Sequence, residues 1–329
     1  WAEYAGEQGL VNDLFVRPLQ IYSSVIRDYA ELDEATIEML DAYASGVNAF
    51  IHSARDLPFE YELINSKPEQ WYPWDCLAVY KIRHVMMGGF EPKLTRARLV
   101  NEIGPEKTSE LYKGYQPNHL LVVPPGQVYS GPYAKGESVF KEMSQHISGL
   151  TEPDSGSNSW VVDGSRTKSG LPLIGGDPHR GLDVPNVYYQ NHISCDEFDV
   201  IGMSFPGCPG FPHFGHNKNV AWCVTHAMSD YQDLYIEKFN PNNSSQYEYE
   251  GKWLNAQIIP DTIKVRDSHD RSIELVSTIH GPIISGRPAD GKAIAFKYTA
   301  LEPENKNTQS IRSMLSVENV DQMDASMKD

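Results

Sequence analysis

The spacing of hydrophobic and polar positions predicts a helical first part of the chain. Asp33 can cap a helix in which hydrophobic residues recur every three or four positions. These residues are Ile37, Leu40, Ala44, Val47 and Ile51. Further helices are predicted over residues 73–87, where Gly88-Gly89 would stop the helix, and over residues 93–103. Residues 1–125 are therefore predicted to be mainly helical.

The second part of the chain has the pattern of short strands separated by turns. The predicted strands are residues 160–162, 188–193, 200–203, 220–225 and 234–238, with several more between 247 and 297. Clusters of Gly, Pro, Asn and Asp between them are typical of turns. A polar connector containing Pro124-Pro125-Gly126 separates the two parts. We predict an α+β fold with a helical segment 1–125, a connector 126–156 and a strand-rich segment 157–329.

The charge balance excludes two classes of partner. The chain has 28 Lys and Arg residues against 44 Asp and Glu residues, for a formal charge of -16. Without a basic field to attract phosphates, we expect neither nucleic acid nor an anionic membrane as a partner. No hydrophobic run approaches the length of a membrane span. The first residues do not resemble a signal peptide, and we interpret the chain as a piece of a longer precursor.

The cysteines and histidines do not form a recognisable metal motif. Four cysteines lack CxxC spacing and are interpreted as small buried hydrophobic residues, with a disulfide as the next alternative and a thiol nucleophile as the least favoured. They are Cys76, Cys195, Cys208 and Cys223. A zinc site at His213, His216 and His226 is disfavoured because a convincing fourth ligand is missing.

A group of oxygen donors between residues 229 and 233 suggests a cation site. Asp230 and Asp233 flank Gln232, which places two carboxylates and a carbonyl within four residues. A hard cation such as calcium takes several oxygen ligands of this kind. Solvated loop acids are the alternative interpretation of the cluster.

A series of short motifs follows residue 155. In order, they are Gly156-Ser157-Asn158-Ser159-Trp160-Val161-Val162, Gly164-Ser165-Arg166-Thr167, Gly176-Asp177-Pro178-His179, Asp199-Val200-Ile201-Gly202, Phe205-Pro206-Gly207, Gly215-His216-Asn217, Ala221-Trp222 and Gln232-Asp233-Leu234-Tyr235. This series resembles the penicillin acylase family of N-terminal-nucleophile hydrolases. One match would be weak, but so many in order over about 80 residues make the resemblance highly specific. Before residue 140 it is looser.

The resemblance implies that the chain cuts itself between Gly156 and Ser157. Ser157 would then carry both a hydroxyl nucleophile and a free α-amine. A serine hydroxyl needs a base, and an α-amine with an unperturbed pKa of about 7.7–8.0 is partly neutral near physiological pH. The family fold is an αββα sandwich with an α subunit before the cut and a β subunit after it.

The resemblance also assigns roles to other residues. His179 would help to orient the nucleophile and its amine, and the backbone N–H of His226 would be one donor to the oxyanion. The second donor, an Asn side chain with a nearby Arg, belongs beyond the end of this chain. The expected lining of the acyl pocket and its entrance is Met86, Phe90, Arg180 and Phe214. The expected ligands of a structural calcium ion are Asp230, Gln232, Asp233 and Glu91.

The sequence therefore predicts a self-processing N-acyl amide hydrolase without an organic cofactor. Its substrate would be a linear amide between an acyl group and an amine such as a β-lactam nucleus. One alternative is an acyl-homoserine-lactone acylase of the same family. Another is a non-catalytic descendant that binds an acylated or peptide ligand. Family members usually act in the periplasm or outside the cell.

Overall fold

A computed structural model describes most of the chain. The described residues are 1–87, 90–111, 156–182, 184, 186–227 and 229–328. The side chains of Met86, Glu91 and Pro92 are not among them. The predicted helix stop at Gly88-Gly89 and nearly all of the predicted connector lie outside the described residues. The proposed segment boundaries at 125 and 156 therefore stay predictions.

Helices occupy the first part of the chain and its last described residues. They are α1 Ala2–Ala5, α2 Glu7–Val16, α3 Ile21–Tyr29, α4 Glu34–Ser53, α5 Phe59–Leu63, α6 Pro73–Met86, α7 Phe90–Ile103, α8 Pro105–Leu111, α9 Asn307–Ser313 and α10 Val320–Ser326. Short 3-10 turns occur at Arg17–Leu19, Gly164–Arg166, Pro288–Asp290, Thr299–Leu301 and Met314–Ser316. Among the described residues, no helix combines the length and the hydrophobicity that a membrane crossing requires.

The strands form antiparallel sheets. They are β1 Gly156–Val162, β2 Leu173–His179, β3 Tyr189–Ser194, β4 Asp199–Ser204, β5 Phe214–His216, β6 Ala221–Cys223, β7 Gln232–Asn240, β8 Asn243–Tyr249, β9 Lys252–Asn255, β10 Gln257–Ile263, β11 Arg271–Thr278, β12 Gly281–Arg287 and β13 Lys292–Tyr298. Strands β1 and β2 form a hairpin, and β3 to β6 form a sheet in sequence order. The remaining strands pair in the order β10-β11-β12-β13-β7-β8-β9. The predicted α+β fold with a helical N-terminal part is confirmed.

The chain divides into two compact units, and each is assembled from separate segments. Unit 1 comprises Trp1–Gln20, Gly88–Ser148 and Asp230–Thr299, which include the sheet from β7 to β13. Unit 2 comprises the segments Ile21–Met87, Gly149–Ser229 and Ala300–Asp329. Each unit therefore contains residues from both sides of the predicted cleavage point.

Helix α4 forms where the hydrophobic pattern predicts it. Asp33 is its N-cap, and the Asp33 Oδ1 accepts a hydrogen bond of 2.7 Å from the backbone N of Thr36. Leu40 and Ala44 are buried, whereas the other members of the predicted stripe are half-buried. Helix α6 begins at Pro73 as predicted, because a proline at the first helical position loses no intrahelical hydrogen bond. Helix α7 begins at Phe90, three residues before its predicted start.

Two strands next to the candidate site were not predicted from the sequence pattern. Strand β2 runs through Gly175-Gly176 and Pro178, which are residues typical of turns. Strand β5, at Phe214–His216, is only three residues long. The predicted strand 220–225 is shorter than expected, because β6 covers only Ala221–Cys223.

The core of unit 2 supports the sheet from β3 to β6. Val200, Phe211 and Trp222 pack with Met314 and Leu315, which follow α9. The Trp222 indole Nε1 donates a hydrogen bond of 2.7 Å to the backbone O of Phe211. This packing fixes β6 and the residues that follow it, which lead to His226.

The cysteine prediction is confirmed for part of the set. Cys76 and Cys208 are buried, and burial raises the pKa of the Cys76 thiol to about 11. Cys195 is exposed, so it is not the buried hydrophobic residue that was expected. All four cysteines lie among the described residues and are free thiols.

Candidate active site

The hairpin of β1 and β2 brings the candidate nucleophile next to the candidate histidine. In this pairing Gly156 lies opposite His179, and Ser157 lies opposite Pro178. Asn158 lies opposite Asp177. The register therefore places Gly156, the first residue of the predicted scissile bond, directly across from the predicted positioning residue, and Ser157 across from the residue before it.

His179 makes two polar contacts through one ring nitrogen. Its Nε2 lies 3.1 Å from the Asn158 Nδ2 and 3.1 Å from the Asp177 Oδ2. A neutral ring with a bare Nε2 accepts from the Asn158 amide, whereas a protonated Nε2 donates to the Asp177 carboxylate. In either state the ring is held at the start of β1.

Gly156 allows the His179 ring to approach the backbone closely. A Cβ atom added at Gly156 would lie 3.1 Å from the Nδ1 of His179. That distance is below ordinary van der Waals contact, so any larger residue would displace the ring. The absence of a side chain at Gly156 leaves the imidazole against the residue whose carbonyl carbon would be attacked in self-cleavage.

The Ser157 hydroxyl faces a backbone amide that can stabilise negative charge. The backbone N of His226 donates to the Ser157 Oγ at 3.4 Å. Ser157 is half-buried. A fixed N–H beside a nucleophile is one of the donors that acyl transfer needs when the substrate carbonyl oxygen becomes negative. The His226 N–H therefore lies beside the candidate nucleophile, and its role as an oxyanion donor stays a prediction.

An aromatic cluster lies beside β2 of the hairpin, at the ends of β3, β4 and β5. Its members are Tyr188, Phe205, His213 and Phe214. The ring centroids of Tyr188 and Phe214 are 5.5 Å apart, and those of Tyr188 and Phe205 are 5.4 Å apart. The Tyr188 hydroxyl lies 3.0 Å from the His213 Nδ1, and the Arg83 guanidinium stands 3.8 Å from the Phe205 ring centroid. The cluster therefore consists mainly of apolar ring surface, with the Tyr188 hydroxyl, the His213 imidazole and the Arg83 guanidinium as its polar groups.

The histidine of the cluster is held neutral. Burial, together with the charges of nearby Arg83, His84 and Arg180, lowers the pKa of His213 to about 3. Burial also lowers the pKa of His84, whose Nδ1 lies 2.7 Å from the backbone O of Tyr80. Near neutral pH His213 therefore acts as a neutral hydrogen-bonding group rather than a cation.

Gly176 brings β2 into contact with Phe214. A Cβ at Gly176 would lie 2.5 Å from the Phe214 Cε1 and 2.8 Å from the Cys223 Cβ. We expect Gly176→Ala to lower the free energy of unfolding by about 1–3 kcal/mol through overpacking. Denaturant unfolding measures this change.

Gly46→Ala is the matched control for that substitution. Gly46 lies on the exposed side of α4, and a Cβ there would meet nothing within 4 Å. Alanine is expected to be neutral or to add about 0.5–1 kcal/mol at a helix interior. Equal stability of Gly176→Ala and the unmodified protein would contradict the close packing of β2.

The predicted pocket residues belong to different units of the chain, with Phe214 and Arg180 in unit 2 and Phe90 in unit 1. Phe214 belongs to the aromatic cluster, and the Arg180 Nη2 lies 3.2 Å from the Met87 Sδ. Phe90 belongs to unit 1, where it is buried between Phe15 and Phe296 with ring centroids 6.1 and 5.5 Å away. The side chain of Met86 lies outside the described residues. The pocket roles of all these residues stay predictions.

The predicted calcium ligands surround an ammonium group. Lys93 Nζ lies 2.5 Å from the Asp230 Oδ1, 2.6 Å from the backbone O of Gln232 and 2.6 Å from the Asp233 Oδ1. Glu91, two residues before Lys93, has a side chain outside the described residues. In this arrangement the donor set does not fit a calcium ion, because Lys93 Nζ lies where the ion would bind. Within the described ranges, no group of three or more His, Cys, Asp or Glu side chains is placed to hold a metal ion.

Three contributors to these sites were missed by sequence reasoning. Arg83 lies on a face of α6 whose other residues are typical of a hydrophobic core. A cation at such a position was the signal that could have identified it. Tyr188 was assigned only to a strand, whereas it contacts three members of the aromatic cluster. Lys93 gave no local signal, because its partners lie about 140 residues further along the chain.

Comparisons with known proteins agree with the motif series. The penicillin amidase family model matches residues 1–329. The penicillin acylase 2 proenzyme of Pseudomonas sp. (strain SE83) is 37% identical over 303 residues, covering 90% of this chain and 39% of that protein. The acyl-homoserine lactone acylase QuiP of Pseudomonas aeruginosa is 25% identical over 301 residues, covering 89% of this chain and 35% of that protein.

The match to a solved structure is more limited. Thermostable penicillin G acylase from Alcaligenes faecalis matches with a TM-score of 0.47 and 25% sequence identity. The match covers 51% of this chain and 30% of that chain. The chain thus spans less than half the length of each of these relatives.

Proposed function

Because the chain belongs to the penicillin amidase family, we propose that it is part of a self-processing N-acyl amide hydrolase with Ser157 as its nucleophile. The observation that carries the proposal is the position of the Ser157 hydroxyl. It accepts a hydrogen bond from the backbone N of His226 at 3.4 Å, and the hairpin register places His179 opposite the preceding residue. The word "proenzyme" in a relative's name supports processing into two subunits.

The first step is self-cleavage. The Ser157 Oγ attacks the carbonyl carbon of Gly156, the peptide C–N bond breaks, and an ester joins Gly156 to the hydroxyl. Water hydrolyses this ester, which leaves a carboxylate on Gly156 and a free amine on Ser157. In this proposal the His179 ring against Gly156 holds the backbone in place, and the His226 N–H, which lies beside the Ser157 Oγ, donates to the oxyanion.

Turnover uses the hydroxyl and the new amine together. The α-amine takes the hydroxyl proton through a bridging water while the Oγ attacks the substrate amide carbon. The amine product leaves with a proton, and an acyl-enzyme remains on Ser157. Water then attacks the ester, releasing the acid and restoring the hydroxyl. No organic cofactor takes part in these steps.

The aromatic cluster supports a preference among acyl groups. Phe214 offers an apolar wall, and neutral His213, the Tyr188 hydroxyl and Arg83 add polar groups beside it. Such a mixture suits a short acyl group with an aromatic or carboxylate end better than a long alkyl chain. The relative named penicillin acylase 2 supports a β-lactam nucleus as the amine, and we therefore favour a β-lactam amide. An acyl-homoserine lactone is the second candidate, supported by the relative of that name.

The test starts from the full-length gene product. Mass spectrometry of the denatured chains should find a piece that begins at Ser157. The purified protein should then hydrolyse amides in a panel that varies the acyl group from phenylacetyl and glutaryl to long alkanoyl, on β-lactam and homoserine lactone amines. A well-folded, uncut chain that hydrolyses nothing in the panel would refute the proposal and favour a ligand-binding role. We further propose that the enzyme acts in the periplasm or outside the cell.

A further inference from the structure

Three oxygen atoms of unit 1 converge on one point. They are the Asp230 Oδ1, the backbone O of Gln232 and the Asp233 Oδ1, and together we call them the oxygen cradle. Lys93 Nζ lies at its centre, 2.5–2.6 Å from each oxygen. Lys93 belongs to α7, whereas the cradle lies at the start of β7.

We propose that Lys93 is a built-in cation that occupies the oxygen cradle in place of a metal ion. The unmodified protein would then bind no calcium at this point. Removing the ammonium would turn the cradle into a site for a hard divalent cation. This inference concerns stability and metal content, so it does not depend on the proposed hydrolase activity.

The geometry supports the exchange of one cation for another. An ammonium group has three N–H donors, and three oxygens of the cradle accept them. Calcium binds oxygen ligands at about 2.3–2.6 Å, nearly the same separation as from Lys93 Nζ to the cradle. The ammonium and a calcium ion therefore require the same position, and they cannot occupy it together.

The charge state of Lys93 is suited to this role. Partial burial alone would lower the pKa of the ammonium, but hydrogen bonds and charges from Asp230 and Asp233 outweigh it and raise the pKa above its ordinary value. Unlike a metal ion, the ammonium is not removed by a chelator.

The contact joins distant parts of unit 1. Asp233 and Gln232 pair with Lys297 and Tyr298 of β13, so the cradle is fixed to the first residues of a paired strand. Lys93 then connects α7 to the start of β7. A charge at this position is therefore expected to affect the melting temperature of the whole unit.

The experiment compares melting temperatures with and without calcium. The full-length gene product and its Lys93→Met variant are measured in EDTA and in millimolar calcium, and bound calcium is determined by mass spectrometry of the metals. The unmodified protein should melt at the same temperature in both solutions. Lys93→Met should melt roughly 2–4 °C lower in EDTA and recover in calcium.

Two further variants sharpen the comparison. Lys238→Met removes another lysine of unit 1, one that pairs with the single carboxylate of Glu248 on the exposed surface, and it should show no response to calcium. Asp230→Asn combined with Lys93→Met should abolish the calcium response of the single variant, because it removes a carboxylate from the cradle.

Two results would overturn the inference. The first is that the unmodified protein contains bound calcium and melts at a lower temperature in EDTA. Asp230→Asn would then have to remove this difference between EDTA and calcium. The second is a folded Lys93→Met variant that gains no stability from calcium. If Lys93→Met does not fold, Lys93→Gln replaces it under the same criteria. The comparison of the unmodified protein in EDTA and in calcium still shows by itself whether the unmodified protein binds calcium.

Discussion

Replacing Ser157 with alanine is expected to leave the precursor uncut and to abolish amide hydrolysis. The methyl group retains the shape of β1 but removes the atom that attacks both the Gly156 carbonyl and the substrate amide. An enzyme that loses its nucleophile falls back toward the water reaction, so we expect a loss of at least about 10³-fold in kcat/KM. Mass spectrometry of the denatured chains and the amide panel measure the two effects.

Ser159→Ala is the matched control for the nucleophile. Ser159 lies two residues further along β1 and is exposed, so its hydroxyl has the same chemistry without the same neighbours. The control should be cut and active. Cleavage between residues 156 and 157, or full hydrolysis, in a Ser157→Ala protein would remove the basis of the mechanism.

The second large effect is expected at His226, and it should depend on the backbone rather than the side chain. His226→Ala keeps the N–H that donates to the Ser157 Oγ and should retain most activity. His226→Pro removes this donor, and loss of one such donor typically lowers kcat by about 10²–10³-fold. Because the donor acts in the transition state, KM should change much less than kcat.

The pair of variants separates a donor from a structural residue. Circular dichroism and thermal unfolding establish that both variants fold, and activity is compared only between folded samples. If His226→Ala loses as much activity as His226→Pro, the imidazole rather than the backbone is responsible. In that case the assignment of the oxyanion donor is wrong.

Periodicity and capping residues were sufficient to predict α4 and α6, whereas α1, α2, α3, α5 and α8 were covered only by the general expectation of a helical first part. For α4, the N-cap at Asp33 and the spacing of Leu40 and Ala44 carry all the information, because both act within one or two turns. The predicted strand 160–162 lies within β1, which begins four residues earlier at Gly156. These are local signals, and a sequence read in order contains them completely.

Strand β2 could not be predicted in this way. Its Gly175-Gly176 pair is favourable only because Trp160 and Phe214 fill the space that side chains would take. Trp160 is on the neighbouring strand and Phe214 is almost 40 residues further along. The same limit applies to Lys93. The acids of the cradle suggested a calcium ion, because nothing local indicated that a lysine about 140 residues earlier contacts them.

The division of the chain into two discontinuous units has a consequence for maturation. A cut between Gly156 and Ser157 would divide both units between the two products, because each unit contains segments from either side of the cut. In unit 2 the Tyr80 hydroxyl donates to the backbone O of Pro209, and in unit 1 Lys93 donates to Asp230 and Asp233. The two products would therefore stay associated non-covalently after the cut. The uncut precursor folds as one chain, so both units form in a unimolecular reaction. Fragments that are denatured and then mixed would have to associate in a bimolecular reaction.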